Sequence, residues 1–302
     1  MCLGWAAAHA APLKVGVLLG ESTFPFGRAA VQALPSAGEK YGAKIVARAP
    51  LLEENIGQQR KILAAWDEEG GFDALIVAAG TNTAEMREAL QPFVKKRVPI
   101  VAFLGQLPGV AQASIQVDEA ALHAAATELC AALVDDGDEV GLLRTKTNGL
   151  MNERERAFIQ GLRARHPKIK IHADVFFNPE RGKEKEQAKL LLAKHPDMKL
   201  VYSPYSLATF TMIEALRETG AATKIHHVGV STNIPPECAR ALSNSELQAA
   251  IALIPRDIVF TAVQTAVSLA KGQTVPENVA IKARVVRKEN LDSPEIKELI
   301  GQ

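Results

Sequence analysis

From Leu13 onward the chain repeats one pattern: a short run of apolar and β-branched residues, a loop, then an amphipathic stretch of roughly ten to fifteen residues. The runs are LKVGVLL, AKIVA, FDALIVAA, VPIVAFL, ASIQV, EVGLL, KIKIHADV, KLVYS, IHHVGV, LQAAIAL and VAIKARVV. Helices are predicted between them, over Gly27 to Tyr41, Gln58 to Glu69, Ala84 to Lys96, Glu119 to Val134, Glu153 to His166, Lys183 to His195, Leu207 to Thr219 and Arg256 to Lys271. Unbroken strand–helix alternation with apolar strands predicts an α/β protein whose parallel sheets are covered on both faces. More than about ten strands in one open sheet is unusual, so two smaller Rossmann-like sheets are expected.

Length and charge narrow the class further. The 302 residues suffice for two lobes of ordinary size, and 35 basic against 34 acidic residues leave a net charge of +1. Near-neutrality disfavours nucleic acid as a partner. No run approaches the roughly 20 apolar residues that span a bilayer, so the chain is not expected to be membrane-spanning. The opening MCLGWAAAHAAP ends in Ala8-His9-Ala10, a small-x-small pattern that reads as a signal-peptide remnant over residues 1–10, with a mature start at Ala11. Export to the periplasm is the corresponding expectation.

Several chemistries lack their signatures. No G-x-G-x-x-G follows the first strand, and neither a phosphate-binding G-x-x-x-x-G-K-[ST] nor a G-x-S-x-G nucleophile elbow occurs. His226 and His227 adjoin on a strand, where successive side chains point to opposite faces, so they are expected to be solvated or structurally bonded. Besides Cys2 there are only Cys130 and Cys238, too few for a disulfide framework or structural zinc, although one bridge between the latter two stays open. No enzyme activity, cofactor or metal is expected.

The loop GESTFPFGRAAVQAL, Gly20 to Leu34, places Phe24 and Phe26 around Pro25 directly after the first strand. Open α/β sheets bind ligands at the carboxyl ends of their strands, so these rings either wall a pocket or cap the sheet.

Taken together, FPFGRAAVQAL, the pair FDALIVAA and VPIVAF, QVDEAALHAAATELCAAL, NERERAFIQGLRARHPKIKI, HPDMKLVYSPYSLATFTMIEALRETG and ENVAIKARVVRKENLD keep the order and spacing of the type I periplasmic binding proteins. The chain most resembles the ribose- and galactose-binding group, over nearly all of Leu13 to Asp292. The resemblance implies two lobes joined by three hinge crossings that close on a small solute and present it to a membrane transporter or receptor. It divides the chain into an N-terminal lobe, 11–117 plus 253–279, and a C-terminal lobe, 118–252 plus 280–302. Hinges are then expected near Gln116 to Asp118, Ala250 to Pro255 and Val279 to Ile281, in a monomer.

Sugar binders of that family carry Asn-Pro-Phe-Phe in the first loop; here the matching positions are Phe24, Pro25, Phe26 and Gly27. The Asp-Arg that ends their fourth strand corresponds to Leu104-Gly105, and the arginine two positions before Arg154 of the Arg-x-x-x-Phe signature corresponds to Asn152. Their Asn-Asp becomes Tyr205-Ser206, their late Asp becomes Ser231, and their Gln becomes Leu253 or Ile254. Asn82 and Asn178 sit in loops that face the ligand in that family, where each either contacts the solute or caps the next helix.

These replacements predict a pocket walled by Phe24, Phe26, Leu104, Tyr205 and Leu253, with Asn152, Ser206 and Ser231 as polar handles. A buried hydroxyl without a partner costs about 1–3 kcal/mol, whereas apolar surface gains about 25 cal/mol per Å² on leaving water. The expected ligand is therefore largely apolar: sterol-like, lipid, terpenoid or aromatic. The competing expectations are a sugar or polyol component of an ABC importer, and a ligand-binding partner of a sensor kinase or chemoreceptor.

Overall fold

The computed structural model describes residues 11–50, 55–79, 83–145, 149–177 and 182–300. The chain forms two compact units, Met1–Gln116 with Arg256–Ala280, and Val117–Pro255 with Ile281–Gln302. It therefore passes from one unit to the other three times. Each unit is a sheet covered by helices, the two-sheet α/β architecture that the alternation predicts.

In the first unit the order of elements is β1 (Leu13–Leu18), α1 (Pro25–Tyr41), β2 (Ala43–Arg48), α2 (Ile56–Glu69), β3 (Ala74–Ala78), α3 (Ala84–Lys95), β4 (Ile100–Phe103) and β5 (Ala113–Val117). The sheet runs β13-β5-β4-β3-β1-β2, with β13 (Asn278–Ile281) contributed by the returning chain. Strands β1 to β5 pair in parallel. Every residue of β3 and β4 is buried, as continuous apolar runs require, while the edge strand β2 keeps Lys44 and Arg48 toward water. Leu18, Leu63, Leu75, Met86, Leu90 and Ile100 fill the core on one side of this sheet. Gly16 sits where a Cβ would meet Leu75 at 2.7 Å and the Phe72 ring at 3.1 Å, so its lack of a side chain lets those two pack onto β1.

The second unit runs α4 (Glu119–Ala131), β6 (Glu139–Leu142), β7 (Arg144–Thr145), α5 (Gly149–Arg165), β8 (Lys170–His172), β9 (Phe176–Phe177), α6 (Glu184–Lys194), β10 (Leu200–Ser203), α7 (Ser206–Glu218), β11 (His226–Thr232), α8 (Pro236–Ser243) and β12 (Ala249–Leu253). Helix α9 (Pro255–Ala270) leads back to the first unit. After β13, β14 (Arg284–Val286) and α10 (Pro294–Ile300) complete the second. Its sheet order is β14-β12-β11-β10-β6-β8, and β7 and β9 pair separately as a short parallel ladder.

Three expectations need correction. The run VAIKARVV is one predicted strand but folds as two, β13 in the first sheet and β14 in the second, because the chain changes unit at Ala280. Strand β14 pairs antiparallel with β12, so the second sheet is mixed. The run KIKIHADV ends as a strand at His172, and its continuation forms the separate β9.

His226 is exposed and His227 fully buried, the opposite-face placement a strand imposes. The Nε2 atom of His227 lies 3.0 Å from Ser203 Oγ, and burial lowers its imidazole to about 3. Cys130 and Cys238 are both free and buried, which closes the open question of a bridge. Burial pushes the Cys238 thiol up to about 12 and that of Cys130 higher still. Among the described residues no helix is long and apolar enough to cross a membrane.

Candidate functional site

In an open parallel sheet the crevice lies outside the carboxyl ends of the strands, where the strand order reverses. In the first unit that point falls at β1, between β2 and β3, and in the second at β6, between β8 and β10.

At the first of these, β1 leads through Leu19 and Gly20 into Glu21, which is only 9% exposed. Its carboxylate accepts the amides of Thr23 (2.5 Å), Phe24 (2.7 Å) and Gly27 (3.1 Å) at the N-terminus of α1. These amides lack partners within the helix, and the positive end of the helix favours an anion there. A Cβ at Gly27 would fall on the Glu21 carboxylate, so this position is glycine for want of room. Phe24 is the N-cap residue and half-buried; Phe26 is half-buried and its ring lies 6.4 Å from Phe103 at the end of β4. The next residue, Leu104, has φ +57°, a left-handed conformation costing a non-glycine residue about 1–2 kcal/mol. Its amide is held by the Ile115 carbonyl at 2.8 Å, which fixes the turn.

At the second, Arg144 follows β6 by two residues and stands opposite Phe176 in the β7–β9 ladder. Its guanidinium lies over the Phe176 ring at 4.6 Å. Nε donates to Glu155 Oε2 at 2.7 Å, and Nη1 approaches the Ala173 carbonyl at 3.5 Å. Glu155, on α5, is 1% exposed; Arg144 is 30% exposed. One residue before it on the same helix, Arg154 is 3% exposed and bonds Glu119 through two nitrogens, at 2.7 and 2.6 Å, with Nη1 3.4 Å from the Pro204 carbonyl. Phe158, a turn further on, stacks on Tyr202 with centroids 4.2 Å apart. The Arg-x-x-x-Phe pair thus clamps α5 to α4 and to the end of β10.

Tyr205 opens α7 as its N-cap, and burial, with the nearby carboxylates of Glu155 and Glu184, holds its phenol well above the usual range. Ser206 Oγ and Thr232 Oγ1 are 2.6 Å apart, and Thr232 stands opposite Leu253 in the β11–β12 pairing. Ser231 is fully buried and donates to the Asn233 carbonyl at 2.8 Å. Asn152 is half-buried on α5. Asn82 and Asn178 lie outside the described residues.

The sequence-derived residues therefore gather at two strand edges: Phe26 and Leu104 in the first unit, with Phe24 in the same loop, and Tyr205, Ser206 and Leu253 in the second. Sequence reasoning missed Glu21, Arg144, Glu155, Phe176 and Thr232. Glu21 had a signal, an acidic residue just ahead of a Pro-initiated helix. Arg144 had none, since a two-residue strand leaves no periodicity.

A family model described as a periplasmic binding protein domain matches residues 15–274, and the chain belongs to that family. Among solved structures, a glucose-galactose binding protein from Geobacillus stearothermophilus aligns at 21% identity and TM-score 0.76, covering 94% of this chain and 99% of that one. An ABC transporter solute binding protein from Agrobacterium vitis with bound D-fucose aligns at 19% identity and TM-score 0.82, covering 95% and 99%. A periplasmic solute binding protein from Actinobacillus succinogenes with bound D-allose gives 19%, 0.81, 92% and 98%. These likenesses establish the type I periplasmic binding protein fold. No curated relative matches by sequence.

Proposed function

We propose that the protein is a periplasmic solute-binding component that captures a neutral, hydroxylated small molecule of the sugar type and delivers it to a membrane transport system. The carrying observation is the guanidinium of Arg144 fixed on the Phe176 ring and paired with Glu155 at the carboxyl edge of the second sheet. A fixed guanidinium with one outward nitrogen suits a molecule with hydroxyl surfaces, whereas an apolar ligand would leave that nitrogen dry and unpaired. Within the Arg144–Glu155 pair the two charges offset one another, which favours a neutral solute at that guanidinium. The fold relatives with bound D-fucose and D-allose support the same class.

The apolar ligand expected from Phe24, Phe26, Leu104 and Leu253 stands second, because the fold relatives with bound sugars favour a hydroxylated solute. Closure of two lobes at the three crossings belongs to this proposal, as does a receptor in place of a transporter. A thermal-shift screen separates the ligand classes: a neutral aldose at about 100 times its Kd adds about 2.7 kcal/mol of stability. Stabilisation by sterols or aromatic compounds, with no response to any aldose, contradicts the proposal.

A further inference from the structure

Most of the Arg144 side chain is immobilised. Its guanidinium lies over the Phe176 ring, its Nε donates to the Glu155 carboxylate, and its Nη1 approaches the Ala173 carbonyl. The outer nitrogen, Nη2, has no hydrogen-bond partner among the described residues, and the side chain is 30% exposed, so this end is open to an incoming acceptor. A surface arginine ordinarily keeps its rotamer freedom. Here the strand pairing, the ring and the buried carboxylate remove it before any solute arrives, which is the arrangement that makes one donor position selective.

Placement and charge decide what that donor can read. Arg144 follows β6, the strand at which the second sheet reverses its order. Glu155 is 1% exposed and already neutralises the guanidinium. A ligand carboxylate brought to Nη2 would stand beside Glu155 as a second anion, whereas a hydroxyl or ring oxygen would accept the hydrogen bond without that repulsion.

We infer that Arg144 is the specificity-determining residue of the second unit, reading an uncharged oxygen acceptor of the solute and discriminating against acidic sugars. This rests on the proposed function.

Calorimetric titration of the full chain with D-fucose, D-allose, D-galactose and D-glucuronate tests it, beside Arg144→Lys and Phe176→Leu. The wild type is expected to bind at least one neutral aldose and to bind glucuronate at least tenfold more weakly. Arg144→Lys keeps the charge but loses the planar fork, and is expected to weaken the aldose at least tenfold with the melting temperature largely kept. In the wild type, saturating aldose is expected to slow modification of Arg144 by phenylglyoxal at least fivefold while leaving Arg217 unchanged; this readout holds even if a variant fails to fold. Aldose affinity within twofold in Arg144→Lys, or no protection of Arg144, overturns the inference and leaves the proposed function standing. A wild type that binds none of the aldoses contradicts both.

Discussion

Glu21 and Gly27 are bound to each other at the start of α1: the carboxylate takes the Gly27 amide at 3.1 Å and occupies the space a side chain there would need. The aromatic loop is thereby fixed by an internal anion, and Phe24 and Phe26 are presented on a rigid turn.

Gly27→Ala is expected to push the Glu21 carboxylate off three amides and leave the buried Gly27 donor unpaired, a loss of about 1–3 kcal/mol. Glu21→Gln keeps an acceptor but loses the charge at the helix terminus, for about 0.3–1 kcal/mol. Urea unfolding midpoints of the two variants check the order; Gly27→Ala matching the wild type would contradict this account of the loop.

The Arg154–Glu119 pair is structural. Arg154 is nearly buried and Glu119 a quarter exposed, so Arg154→Ala is expected to cost toward the lower end of the about 3–5 kcal/mol seen for broken buried pairs. Differential scanning calorimetry measures it, and the double variant with Glu119→Ala is expected to recover part of the loss.

The alternation of strands and helices was readable because its two periodicities differ, and the predicted helices fall within a few residues of the observed ones. What the sequence concealed shares a physical cause. VAIKARVV divides between two sheets because the unit boundary at Ala280 is a matter of long-range topology, invisible to local patterning. The short ladder that sets Arg144 against Phe176 is likewise a non-local pairing of two-residue strands. Gly27 reads in sequence as a lost aromatic ring, yet in the fold it is the space that Glu21 fills. Matching residue types position by position therefore picked out apolar side chains that lie at or after the strand ends and passed over Glu21 and Arg144 near them.

His227 gives the protein an acid-sensitive core. An unfolded histidine titrates near 6.5, whereas burial lowers this one to about 3 in the folded state. Between those values the unfolded chain holds more protons, so stability is full above about pH 6.5 and falls by up to about 1.4 kcal/mol per pH unit down to about 3. Denaturation at a series of pH values checks the slope. His227→Leu is expected to flatten it, at some cost in baseline stability because Ser203 loses its partner.

The two core cysteines are expected to be inert. Cys130 and Cys238 are buried and their thiols are shifted upward, so both should resist alkylation by iodoacetamide in the native protein and react only after unfolding. Peptide mass spectrometry before and after denaturation reads this site by site.

The central claim is that the solute is hydroxylated and neutral. Its most direct measurement is isothermal titration of the wild-type protein with D-fucose and D-allose in parallel with a sterol and an aromatic hydrocarbon in dilute detergent. Micromolar or tighter heat-detected binding of an aldose, with none for the hydrophobic pair, is the expected result. Saturable binding of the sterol or hydrocarbon, with flat traces for both sugars, would contradict it.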